Sequence, residues 1–248
     1  LALGAPEGEA AAHLWGLWVT AEGIWEHGPF VRVADAAWPH GFRSDLVDPI
    51  HLLLVAPAVW TLGDAGAALA WNALPVVSLG LAAVGGGWLG GRLGLSSGGR
   101  ALLAGLLVCS PAFAGATVPV GRSEQLVLGW SVLHLAALHG AVREGGARRI
   151  AVAGVTLALQ GLGGWRPLML LLFLEVPLAL VWASGPRGLA RALGVGAVGA
   201  TLTLPMLAAH VAASPWWFNA GPWPSPFDHE VTPARLGALL SPTGTGPW

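Results

Sequence analysis

The sequence predicts an all-α protein: a polytopic transmembrane helical bundle of about six or seven spans, with an interfacial amphipathic helix in its first loop. Three observations predict it. Apolar residues fill 54% of the 248 positions and charged residues only 10%, where a soluble domain carries about a quarter charged residues. Mean hydropathy is +0.65. Long Ala/Leu/Val runs alternate with short turns that hold Gly, Pro and Arg. The net charge of −1 excludes a basic surface for nucleic acid. The single cysteine, Cys109, excludes an intramolecular disulfide. Tyr is absent and Trp abundant, at 14 residues. Trp suits the membrane–water interface, where its apolar ring and its N–H donor are both satisfied.

Three regions are expected. Residues 1–49 hold the end of a missing first helix and an acidic, amphipathic loop outside the membrane. Residues 50–213 form the transmembrane bundle. Residues 214–248 form a truncated, Pro- and Trp-rich extracytoplasmic loop. Leu1 to Pro6 reads as the tail of that first helix, so the chain is expected to be a piece of a longer protein.

Glu7-Gly8-Glu9 opens the first loop. Two carboxylates so close can bind a divalent cation or act as a general base on a hydroxyl; the plain alternative is a solvated turn. Ala10 to Glu26 places His13, Leu14, Leu17, Trp18, Ala21 and Trp25 at helical spacing. Its apolar content is too low to span, which predicts an interfacial helix. Trp38 to Pro49 is polar and broken by Pro39, Gly41 and Pro49, which predicts loop. Ile50–Leu62 is apolar but reaches only about 20 Å, against a hydrocarbon core of about 30 Å. A tilted span, a re-entrant piece and an interfacial helix all remain open for it.

Six further segments read as spans: Ala65–Leu89, Ala101–Val118, Gln125–Val142, Ile150–Leu162, Leu168–Trp182 and Leu189–Ala213. If each crosses, Arg92, Arg100, Arg143, Arg148, Arg149, Arg187 and Arg191 all fall on one side. The positive-inside rule makes that side cytoplasmic. The 10–49 loop then belongs to the opposite face if Ile50–Leu62 stops short of crossing, which its length favours. After Ser214 the proline density forbids a continuing helix, and Thr232-Pro233 marks a further helix start.

Several local signals have plain readings. Gly85-Gly86-Gly87-Trp88-Leu89-Gly90 matches G-x-G-x-x-G. Inside an apolar helix, its small residues four apart predict helix packing rather than a dinucleotide site. His134 and His139 are five apart, about 140° around a helix, and cannot share a metal. Arg122-Ser123-Glu124 and Arg166 sit at helix boundaries, where capping and snorkelling compete with binding. Glu175 lies in mid-span, where a carboxylate faces a cavity or a partner. Asn72 and Gln160 are expected to bond to neighbouring helices.

The layout resembles a known superfamily. An acidic motif follows the presumed first helix, then a His-x-x-Trp-x-x-Trp-like segment around Leu14-Trp15-Gly16-Leu17-Trp18. Trp38-Pro39-His40-Gly41 comes next, and Asp48-Pro49 precedes a short apolar helix and Ala/Leu spans. This is similar to the C-type (GT-C) integral membrane glycosyltransferases and to bacterial multi-spanning proteins related to them. The resemblance covers most of the chain through short, degenerate motifs.

It implies sugar transfer from a polyprenyl-phosphate carrier to an extracytoplasmic acceptor, in a bacterial inner membrane. Glu9 would be the base and Glu7 its second, with a divalent cation as the one cofactor the pair suits. Arg122 and Arg166 would hold the carrier phosphate, and Glu124, His40 and Asp45 would contact substrate. Glu stands here where Asp is commoner in the family. The alternative is a non-catalytic scaffold, or a transporter or lipid-handling protein, that keeps this layout.

Overall fold

The computed structural model describes residues 10–27, 32–33, 42–43, 49–110 and 128–213. Among them are eight helices: α1 (Ala10–His27), α2 (Pro49–Leu62), α3 (Asp64–Arg92), α4 (Ser97–Val108), α5 (Leu128–Glu144), α6 (Ala147–Gly163), α7 (Trp165–Trp182) and α8 (Pro186–Ala213). Within the Trp38–Pro49 segment expected to be loop, β2 (Phe42–Arg43) pairs antiparallel with β1 (Arg32–Val33), which precedes that segment. The all-helical expectation holds in this coarse form. Where six or seven spans are expected, two helices among the described residues are long and apolar enough, by length and composition, to cross a membrane: α3, and Pro186–Pro205 of α8.

The other helices are shorter for visible reasons. α4 was expected to run from Ala101 to Val118; it starts earlier, at Ser97, and stops at Val108. Ser96 caps its start, with Oγ accepting from the Gly99 amide at 3.3 Å. Its stop precedes Ser110-Pro111, where the proline disfavours helical backbone at the residue before it. Twelve residues reach only about 18 Å. α2 has 14 residues, about 21 Å, beside an α3 of 29 residues, about 43 Å.

Gly63 makes the turn between α2 and α3 with φ of 60°, a conformation that suits glycine. The two helices then run antiparallel in close contact. A Cβ on Gly66 would overlap the Ala58 carbonyl. Being half as long, α2 covers only the first half of α3. α1 joins the same layer: Leu17 and Ala21 share a core with Val55, Val59, Trp71 and Leu74. The Trp60 indole N–H donates to the Ala21 carbonyl at 2.7 Å, and the Trp25 and Trp60 rings meet at 4.9 Å.

The second half of α3 belongs to another layer. Gly85-Gly86-Gly87-Trp88-Leu89-Gly90 is the contact surface there. A Cβ on Gly85 would come 2.8 Å from the Leu133 nitrogen, and one on Gly86 would meet Ala104 of α4 at 3.0 Å. Gly90 lies against Arg100. The motif is a packing seam, as its setting predicts. α3 and α5 run parallel: Gly129 sits on Ser78, Val132 beside Gly85, and Gly140 beside Arg92. α5, α6, α7 and α8 then alternate in direction around a core of Ala137, Leu138, Val142, Leu157, Leu171 and Val195. Gly154 and Gly161 of α6 let α8 approach at Val198 and Thr203.

This connectivity gives the molecule two ends. Arg92, Arg100, Arg143, Arg148, Arg149, Arg187 and Arg191 lie at the end where α3 and α5 stop and α4, α6 and α8 start. Arg92 and Arg149 pair there with Glu144. Arg191 donates to the Val142 and Arg143 carbonyls at 3.1 and 3.2 Å. The α1–α2 layer lies at the opposite end.

Candidate functional site

Glu7, Glu9, His40, Asp45, Arg122 and Glu124 lie outside the described residues. The same holds for the Thr232-Pro233 helix start. Arg166 is the second residue of α7, so its backbone sits at the end opposite the arginine cluster. α5 also begins at that end, at Leu128, four residues after Glu124.

The described helices build a different polar feature, a buried seam where α5, α6 and α7 meet. It begins with His134, 0% exposed, on the face of α5 that meets α6. Its Nδ1 lies 3.0 Å from the Ala153 carbonyl and 3.1 Å from the Thr156 hydroxyl. A carbonyl only accepts, so Nδ1 carries the proton and donates to Ala153. Thr156 donates to the same carbonyl at 2.9 Å. His134 Nε2 then faces Glu175 Oε1 of α7 at 3.3 Å. The contact is close and polar but lacks hydrogen-bond geometry, since Nε2 has no hydrogen-bond partner among the described residues.

One turn away, the Ser131 hydroxyl donates to Gln160 Oε1 at 2.9 Å. Gln160 is 0% exposed. Thr203 of α8 is also buried and donates back to the Gly199 carbonyl at 2.7 Å. His134 Nε2, Gln160 Nε2 and Glu175 Oε2 are buried without a hydrogen-bond partner among the described residues. Such orphaned atoms mark room for water or another polar group. The seam fixes three helices in register. No group of three or more His, Cys, Asp or Glu among the described residues is placed to hold a metal ion.

Sequence reasoning anticipated Glu175 and Gln160 singly but missed the seam. The signal was present: Ser131 and His134 are three apart on α5, Thr156 and Gln160 four apart on α6. Both spacings stack on one helix face. His139, weighed with His134, points elsewhere and meets the edge of Trp182 at 5.0 Å.

Glu144, at the arginine end, carries a second polar network. Its Oε2 lies 2.7 Å from Arg149, and Arg92 binds its other oxygen. The hydrogen bond from Arg92 holds the Glu144 carboxyl below its usual range. A depressed acid adds stability above its unfolded pKa and loses it as pH falls through the folded value. The contribution is complete at neutral pH and is lost on acidification past the usual glutamate range. Glu144→Gln should therefore lower the melting temperature slightly at pH 7 and flatten its decline on acidification. The gap should narrow in high salt, because the pair is exposed. Identical pH profiles for both proteins would show that the network adds nothing.

Compared with known proteins, the chain matches no family model, no curated protein and no solved structure.

Proposed function

We propose that this chain is part of a polytopic inner-membrane glycosyltransferase of the GT-C type, moving a sugar from a polyprenyl-phosphate carrier to an extracytoplasmic acceptor. The observation that supports the reading is the separation of the two ends. Arginines gather at one, and the amphipathic α1 docks with the short α2 at the other. With the arginine end cytoplasmic, the loop that carries the acidic pair belongs on the outer face. Outward side chains favour a lipid setting. Phe173, Val181 and Leu193 are each at least three-quarters exposed, and apolar patches of that kind cover themselves with lipid or protein.

In this proposal Glu9 takes the proton of the acceptor hydroxyl, with Glu7 beside it. The acceptor oxygen bonds to the anomeric carbon as the bond from that carbon to the carrier phosphate breaks. Arg122 and Arg166 stabilise the departing phosphate through charge-assisted hydrogen bonds. Glu124, His40 and Asp45 contact the sugar or the acceptor, and a divalent cation at Glu7 and Glu9 is the one cofactor the site suits. Glu9→Gln should lower lipid-linked sugar transfer at least about a hundredfold while leaving the melting temperature unchanged. Unaltered transfer by the Glu7→Gln, Glu9→Gln double variant would refute the enzyme reading.

One observation favours a second reading, a transporter or lipid-handling protein. The His134–Glu175 pair is buried inside the bundle, and ionisable residues within membrane spans mark proton and substrate pathways. That reading predicts proton-coupled flux that Glu175→Gln abolishes and Glu9→Gln leaves intact.

A further inference from the structure

At the arginine end, α3, α5 and α6 leave a cleft of about 550 Å³ lined by Trp88, Arg92, Gly140, Gly145, Arg148 and Arg149. We infer that this cleft binds a phosphate group.

Charge is the first argument. Three arginines face one described acid, Glu144, which already pairs with Arg92 and Arg149. The other described acids lie elsewhere: Glu22 and Glu26 on α1, Asp64 at the far end of α3, and Glu175 in the buried seam. Arg148 is exposed and has no partner among the described residues. The cleft therefore holds two positive charges in excess.

Its shape is the second argument. The Arg92 guanidinium lies over the Trp88 ring, 5.8 Å from its centre. Gly140 makes room for it, since a Cβ there would come 3.0 Å from Arg92 Cζ. Arg149 is held by the Gly145 carbonyl at 3.2 Å. Two arginines are thus fixed in place, and Arg148 is left to close on the ligand. The first turn of α6 starts at the cleft wall after Gly146, with no side chain capping it. Its amides add a positive end that favours an anion. Planar guanidinium forks match the oxygens of a phosphate.

Such a phosphate comes from the headgroup of an anionic lipid or from free phosphate in solution, and the test separates the two. The purified chain goes into nanodiscs of phosphatidylcholine alone or with phosphatidylglycerol, and retained lipid is counted by native mass spectrometry. Inorganic phosphate is titrated against the melting temperature in the phosphatidylcholine discs. Arg148→Gln is compared with Arg187→Gln, which removes an equal charge from the same end but outside the cleft. The inference expects Arg148→Gln to weaken one of the two ligands about tenfold and Arg187→Gln to leave it unchanged. Loss confined to phosphatidylglycerol assigns a lipid headgroup; loss confined to inorganic phosphate assigns the soluble ion. Equal effects of the two variants, or no binding of either ligand, would overturn it.

Discussion

Replacing Gly154 by leucine is expected to break the contact between α6 and α8. Gly154 has no side chain, and Val198 of α8 occupies the space that one would fill; an added Cβ would overlap it. The Val195 carbonyl stands 3.1 Å from the same point. Neither neighbour can yield cheaply, because Val195 is 0% exposed and part of the bundle core. Overpacking at such a site costs about 1–3 kcal/mol, and more where backbone must shift. Where lipid surrounds the helices, close packing of this kind is the main force between them. Gly196→Leu is the matched control, because a Cβ on Gly196 meets nothing within 4 Å. Melting curves in detergent should show a large loss for the first variant and none for the second. Equal behaviour would mean that α6 and α8 do not meet at Gly154.

The second large effect belongs to the His134–Glu175 pair. His134→Leu leaves the Glu175 carboxyl buried without its partner. Glu175→Leu leaves His134 Nε2 in the same state. Breaking one side of a buried pair costs about 3–5 kcal/mol, whereas replacing both sides by apolar groups is often nearly neutral. The double variant should therefore be more stable than the sum of the single losses predicts, by at least about 2 kcal/mol. Additive losses would show that the two side chains do not interact.

These two sites show which parts of the fold the sequence made legible. Helix positions followed from apolar runs and breakers. Ala65–Leu89 became Asp64–Arg92, Ile150–Leu162 became Ala147–Gly163, and Ala10–Glu26 became α1 almost unchanged. The gathering of arginines at one end was also readable, because short turns force neighbouring helices to alternate. Pairing between helices was not readable. That Gly154 faces Val198 and His134 faces Glu175 depends on helix rotation, and smooth Ala/Leu/Val runs encode rotation weakly. The expected α4 extends past the observed one because Val108 to Val118 stays mostly small and apolar, while the stop lies at Ser110-Pro111. The candidate catalytic residues rest on short motifs in stretches without periodicity, such as Glu7-Gly8-Glu9 and Trp38 to Asp48. Periodicity there says nothing about which groups meet.

The account turns on the claim that the arginine end and the α1–α2 end face opposite sides of a membrane. The direct measurement uses single cysteines at Ser44 and Ser184 in a Cys109→Ser background, with a membrane-impermeant thiol reagent applied to intact cells. Ser44 precedes α2 in the sequence, and Ser184 lies in the turn between α7 and α8 at the arginine end. The account predicts that Cys at position 44 is labelled from outside and that Cys at position 184 reacts only after lysis. Labelling of both from the same side would contradict it, and would remove the outer-face site on which the glycosyltransferase proposal depends.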